Sequence, residues 1–187
     1  MTSVLISIQP KWCELIASGK KTVEVRKTRP KLETPFKCYI YCTQGLLKDI
    51  GVIGDDMYQK RMKVIGEFVC DRIDDFNIPY PAYFHECDNR TREILQSAHL
   101  TPMDIHRYNG VHTTYGWYIS DLVIYDNTRG IRGFYKYCGD DPKCDGCEFL
   151  YYSNTECGKE EFCCSNMYGC KTLTRPPQSW CYVEEVE

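Results

Sequence analysis

Over residues 19–26 the chain sets Gly19, Lys21, Glu24 and Arg26 in the spacing G-x-K-x-x-E-x-R. A turn at Gly19 lets Lys20 and Lys21 project at the end of a strand layer. Glu24 and Arg26, two residues apart, stand on one face of the strand that follows. An ammonium, a carboxylate and a guanidinium therefore converge. Arg26 can fork onto a phosphate or a base edge, Lys21 can act as a point charge, and Glu24 can accept from an amino group. Trp12, Trp117 and Trp180 could each offer a stacking face, worth about 1–3 kcal/mol per base. With Gln9 and Lys27 these are the candidate ligand-binding residues. The competing assignment makes Glu24 and Arg26 a structural ion-pair network and the tryptophans core. The basic run Lys20, Lys21, Arg26, Lys27, Arg29 and Lys31 stands out against a net charge of −3. His85, His99, His106 and His112 have no Cys or Asp at a triad or metal spacing and read as surface or satisfied residues.

Thirteen cysteines form the second chemical feature. Cys13, Cys38, Cys42, Cys70 and Cys87 are scattered among strand-like residues and read as small buried hydrophobes. The rest fall between Cys138 and Cys181. Cys144-Asp-Gly-Cys147 is a C-x-x-C knuckle, and Cys163 or Cys164 with Cys170 can supply a second pair. Four thiolates at about 2.3 Å suit a structural zinc. Cys138 and Cys157 are alternative ligands, and one or two ions could be held. Disulfides or unliganded thiols are the alternatives. Zinc is favoured because residues 138–173 carry no hydrophobic pattern that would fold without a staple. Cys181 reads as core.

Local patterns supply the elements that position these groups. Residues 4–9 alternate and read as a strand. Pro10 suits a helix start, Trp12, Leu15 and Ile16 follow at helical spacing, and Gly19 stops the helix. Further strands are expected over 22–26, 36–42, 63–74 (with Gly66 marking a bulge or close approach), 115–125 and 180–183. Helices are expected over 91–98 and 101–108, the second with a capping box on Thr101 and Asp104. Residues 128–137 read as irregular or helical. Five or six strands without a βαβ rhythm imply an α+β fold, a small mixed β-barrel in one domain over 1–187 with 138–173 as an insert.

Apolar residues make up 43% of the 187 positions, aromatics 13% and charged residues 26%, which fits a globular chain and excludes a disordered one. The acidic balance excludes a protein that coats nucleic acid non-specifically. No apolar run of membrane-spanning length occurs. The first residues lack a basic n-region, so a cytoplasmic location is expected.

Residues 7–26, with Gly19, Lys21, Glu24 and Arg26 after a strand and short helix, resemble the signature of the ASCH (activating signal cointegrator homology) domain of the PUA-like superfamily. The closing segments GWYISDLVIYD (116–126) and RPPQSWCYVEE (175–185) resemble those of ASCH proteins from phages and prophages. The resemblance implies a PUA-like barrel whose cleft, between barrel and first helix, binds RNA or a nucleoside or nucleotide. Some small ASCH proteins are amidohydrolases acting on N4-acetylcytidine, with a motif lysine activating a threonine and a later glutamate completing the set. Here Lys21 is present, Glu24 takes the threonine position, and Glu67 in GEFVC is available, so Lys21, Glu24 and Glu67 are the candidate catalytic set. A carboxylate cannot repeat hydroxyl nucleophile chemistry, which favours binding over hydrolysis. A phage protein that blocks a host factor is the third function class.

The cysteine pattern predicts about one structural zinc per chain, measured by elemental analysis of protein purified without chelator. Metal-free folded protein would remove the zinc assignment.

Overall fold

A computed structural model describes residues 2–45, 53–79, 84–136 and 173–185. Strand β1 (Ser3–Ile8) is buried along its whole length and leads into helix α1 (Pro10–Ala17), with Pro10 at its first turn. Strand β2 (Val23–Arg26) follows, then β3 (Phe36–Cys42) and the short helix α2 (Asp55–Gln59). Strand β4 (Lys63–Phe76) precedes helices α3 (Asn89–Ala98) and α4 (Pro102–Asn109). The long β5 (Thr114–Arg129), the short β6 (Phe134–Lys136) and β7 (Trp180–Glu185) complete the described chain.

All seven strands join one mixed sheet in the order β2-β5-β4-β3-β1-β7-β6. Only β1 and β3 run parallel; the other neighbours are antiparallel. This corrects the expected closed barrel: the order ends at β2 and β6, which do not pair. The edge of β2 is taken by α3 instead, since the Thr22 N–H donates to the Ser97 carbonyl at 3.0 Å. The α+β assignment stands. The 128–137 segment also differs from expectation, because β5 continues to Arg129 and β6 follows a single 3-10 turn.

Strand alternation divides the apolar residues between two faces. Val4, Ile6, Ile8, Cys38, Ile40 and Cys42 pack with Cys13 and Ile16 of α1, Met57 of α2, Phe68, Cys70 and Trp117. Leu5, Tyr39 and Tyr41 point the other way and pack with Val64, Phe134 and Val183. A third cluster joins Val23 and Val25 of β2 to Ile94, Leu95 and Ala98 of α3 and Ile105 of α4. Fully burying each such side chain stabilises by about 1.5–3 kcal/mol. Cys13, Cys38, Cys42, Cys70 and Cys87 are buried thiols, as their sequence context implies. Cys181 is half-buried against the second face.

Cys138, Cys144, Cys147, Cys157, Cys163, Cys164 and Cys170 lie outside the described residues, so the zinc set is not located. Among the described residues no group of His, Cys, Asp or Glu could hold a metal ion, and no helix is long and apolar enough to cross a membrane.

Two local signals match their structures closely. Thr101 Oγ1 accepts from the Asp104 N–H at 3.2 Å while Asp104 Oδ2 accepts from the Thr101 N–H at 2.9 Å, closing the capping box on α4. Gly66 sits where the β4–β5 register shifts, and a Cβ there would lie 2.3 Å from the Val123 carbonyl oxygen. That contact is with backbone, which cannot swing aside. Gly66→Ala should therefore destabilise the fold by about 1–3 kcal/mol, read as a lowered thermal midpoint. An unchanged midpoint would mean that β4 and β5 are not this close.

Candidate functional site

Helix α1 ends in a Schellman turn. Gly19 takes φ +71°, its N–H donates to the Ile16 carbonyl at 2.9 Å, and the Lys20 N–H donates to Leu15 at 2.9 Å. A non-glycine residue would be strained at that φ. The Lys21 N–H also donates to the Leu15 carbonyl, at 3.0 Å, so the chain reverses into β2 with the Lys21 side chain turned inward.

Lys21, Glu24 and Arg26 are buried together. Lys21 Nζ donates to the Ala98 carbonyl at 2.8 Å and lies 3.4 Å from Glu24 Oε2. Ala98 ends α3, so the ammonium sits at the negative end of a helix dipole. Arg26 donates to the Ser7 carbonyl at 2.6 Å, and the same guanidinium nitrogen lies 3.1 Å from Glu24 Oε1. One carboxylate is thus shared by two cations from the same turn and strand. Burial lowers the Lys21 ammonium below the ordinary lysine value, with the Glu24 carboxylate pulling the other way.

These three side chains line a cleft of about 730 Å³ together with Ser7, Gln9, Trp12, Lys27, Thr28, Thr43, Asp104, Tyr108, Gln178 and Ser179. Trp12 on α1 carries Lys11 Nζ at 4.6 Å and Lys21 Nζ at 5.2 Å from its ring centroid. Tyr108 on α4 carries Lys27 Nζ at 4.7 Å. The segment after residue 173 closes one side. Ser7 Oγ donates to the Pro177 carbonyl at 2.7 Å, and the Ser7 N–H donates to Ser179 at 2.8 Å. Ser7 thereby holds both Arg26 and this wall.

Of the sequence candidates, Gln9, Trp12, Lys21, Glu24, Arg26 and Lys27 come together on the cleft. Trp117 does not. It is fully buried, edge-on to Phe36 and 5.9 Å from Trp180, and so is core. Trp180 packs against that core and donates from Nε1 to Thr28 Oγ1 at 3.0 Å, bracing a cleft residue from behind. Glu67 is also elsewhere. Its register partner is Tyr39, whose ring belongs to the second face. Glu67 there pairs with Lys37 at 2.9 Å and accepts from the Tyr125 hydroxyl. The set Lys21, Glu24 and Glu67 is therefore not assembled around one point.

Sequence reasoning missed Tyr108 and Asp104 as cleft residues, and the wall formed by Gln178 and Ser179. A helix over 101–108 is legible from its cap, but which of its residues overhangs β2 depends on how Ile105 of α4 packs with Val23 and Val25. No local pattern states that.

The family model for the ASCH domain matches residues 6–86. No curated protein matches the chain. The crystal structure of ASCH from Zymomonas mobilis aligns over 97% of this chain and 87% of that chain, with a TM-score of 0.54 at 18% identity. A serine-to-alanine variant of that protein aligns over 97% and 88%, with a TM-score of 0.53 at 17% identity. At such identity the likeness speaks for the fold. Over residues 6–86 the chain matches the ASCH domain model, and its fold is similar to that of an ASCH protein of known structure.

Proposed function

We propose that the cleft binds single-stranded RNA or a modified nucleoside. The observation that carries this reading is one cleft in which two aromatic walls, Trp12 and Tyr108, stand beside Lys21, Arg26 and Lys27. Aromatic faces suit unstacked bases and cations suit phosphates, the usual pairing at single-strand sites. The volume of about 730 Å³ also falls in the range of small-ligand pockets. ASCH-domain chemistry in the sequence supports the same class of ligand.

A second reading, hydrolysis of an acylated nucleoside such as N4-acetylcytidine, rests on Lys21. Burial lowers its basicity towards that of a general base, and it stands beside a carboxylate. Against it, Glu24 occupies the position where a hydroxyl nucleophile is needed, and it is held by two cations. Thr22, the threonine nearest in sequence, is exposed, and the threonines that line the cleft are Thr28 and Thr43.

Glu24→Ala would leave two buried cations without their shared partner and should cost about 3–5 kcal/mol of folding stability. Urea denaturation reads this directly, and a loss under about 1 kcal/mol would mean the pair is solvated. Ligand binding is better tested at Trp12, which is only half-buried. By fluorescence anisotropy, the parent protein should bind a short single-stranded RNA with affinity that falls as salt rises. Trp12→Ala should weaken it about tenfold. Equal binding by parent and variant would take the ligand out of this cleft. For the hydrolase reading, incubation with N4-acetylcytidine should release no acetate; release that Lys21→Met abolishes would establish an enzyme.

A further inference from the structure

The floor cations each have partners within the protein. Lys21 Nζ is held by the Ala98 carbonyl and Glu24, and Arg26 by the Ser7 carbonyl and Glu24. Both side chains are more than nine-tenths buried. Arg26 Nε is buried without a hydrogen-bond partner among the described residues, so the floor keeps a donor of its own for a ligand that reaches it. Lys27 is different. It is exposed, and its ammonium rests over the Tyr108 ring.

Tyr108 is 39% exposed, among the large apolar side chains that the fold leaves open to solvent. The ring projects from α4 and lines the cleft beside Arg26. A tyrosine has two side-chain torsions to fix and so loses little rotamer freedom when something stacks on it. A cation over an exposed ring is held more weakly than a stacked base.

The geometry points to Tyr108 as the stacking platform for one unpaired base, with Lys27 as a placeholder that the base displaces. The displaced ammonium is then free to pair with a phosphate of the same strand. This inference rests on the RNA reading above and refines it: Tyr108 with Lys27 makes the stacking contact beside the motif residues Lys21, Glu24 and Arg26.

Anisotropy with a single-stranded RNA octamer and with the same octamer carrying abasic positions tests it. Tyr108→Leu should weaken the intact octamer about tenfold and leave the abasic one unchanged, so that parent and variant converge on the abasic strand. Tyr108→Phe, which keeps the ring, should stay within about threefold of the parent on the intact strand. Lys27→Gln should reduce the slope of log affinity against log salt by about 0.7, the loss of one phosphate contact on a single strand. If Tyr108→Leu weakens both strands equally, or neither, the platform assignment is overturned while the RNA reading survives. If the parent binds neither strand, the RNA reading falls and takes the platform with it.

Discussion

A single carboxylate shared by two buried cations organises the cleft. Bringing Lys21, Glu24 and Arg26 out of water costs several kcal/mol per ion, and one Glu24 cannot balance two positive charges. Backbone oxygen makes up the difference. The Ala98 carbonyl faces Lys21 from the end of α3, and the Ser7 carbonyl faces Arg26 from β1. The network therefore joins four elements that are distant in sequence: β1, the α1–β2 turn, β2 and α3. If any of them shifted, a buried charge would lose its partner. The position of the cleft floor follows from this requirement.

The open sheet matters for the same reason. Had β2 paired with β6 to close a barrel, its outer edge would have been covered by another strand. Instead the Thr22 N–H is taken by α3, and Val23 and Val25 pack under α3 and α4. This brings Asp104 and Tyr108 of α4 to the cleft that Lys21, Glu24 and Arg26 also line. On the opposite side Ser7 anchors the 177–179 segment. The cleft is thus walled by α1, α4 and a late segment, the last fastened to β1 through Ser7.

Local physics was legible and long-range geometry was not. Alternation identified β1 and β3, Pro10 and Gly19 bracketed α1, and Thr101 with Asp104 announced α4, because each signal is satisfied within a few residues. The G-x-K-x-x-E-x-R spacing placed three charged residues together correctly. Glu67 and Trp117 went astray because their faces depend on β4–β5 register. Shifts in that ladder, at Gly66 among other places, change which side chains share a side. Tyr108 was hidden in a helix whose rotation is set by Ile105 packing on β2. Whether seven strands close or stay open is decided by which edges meet, and that is a property of the whole chain.

The identity of residue 24 bears on what such a cleft can do. A nucleophile must present an unengaged lone pair to a carbonyl carbon, and its activating base must be able to lose its proton. Glu24 meets neither condition: both oxygens face cations, and its charge favours the protonated form of Lys21. Burial works against that charge, and the Ala98 carbonyl and helix dipole work with it. The same contacts that make the trio a poor reaction centre make it a rigid one. A carboxylate at this position, held between two cations, makes the floor a fixed surface.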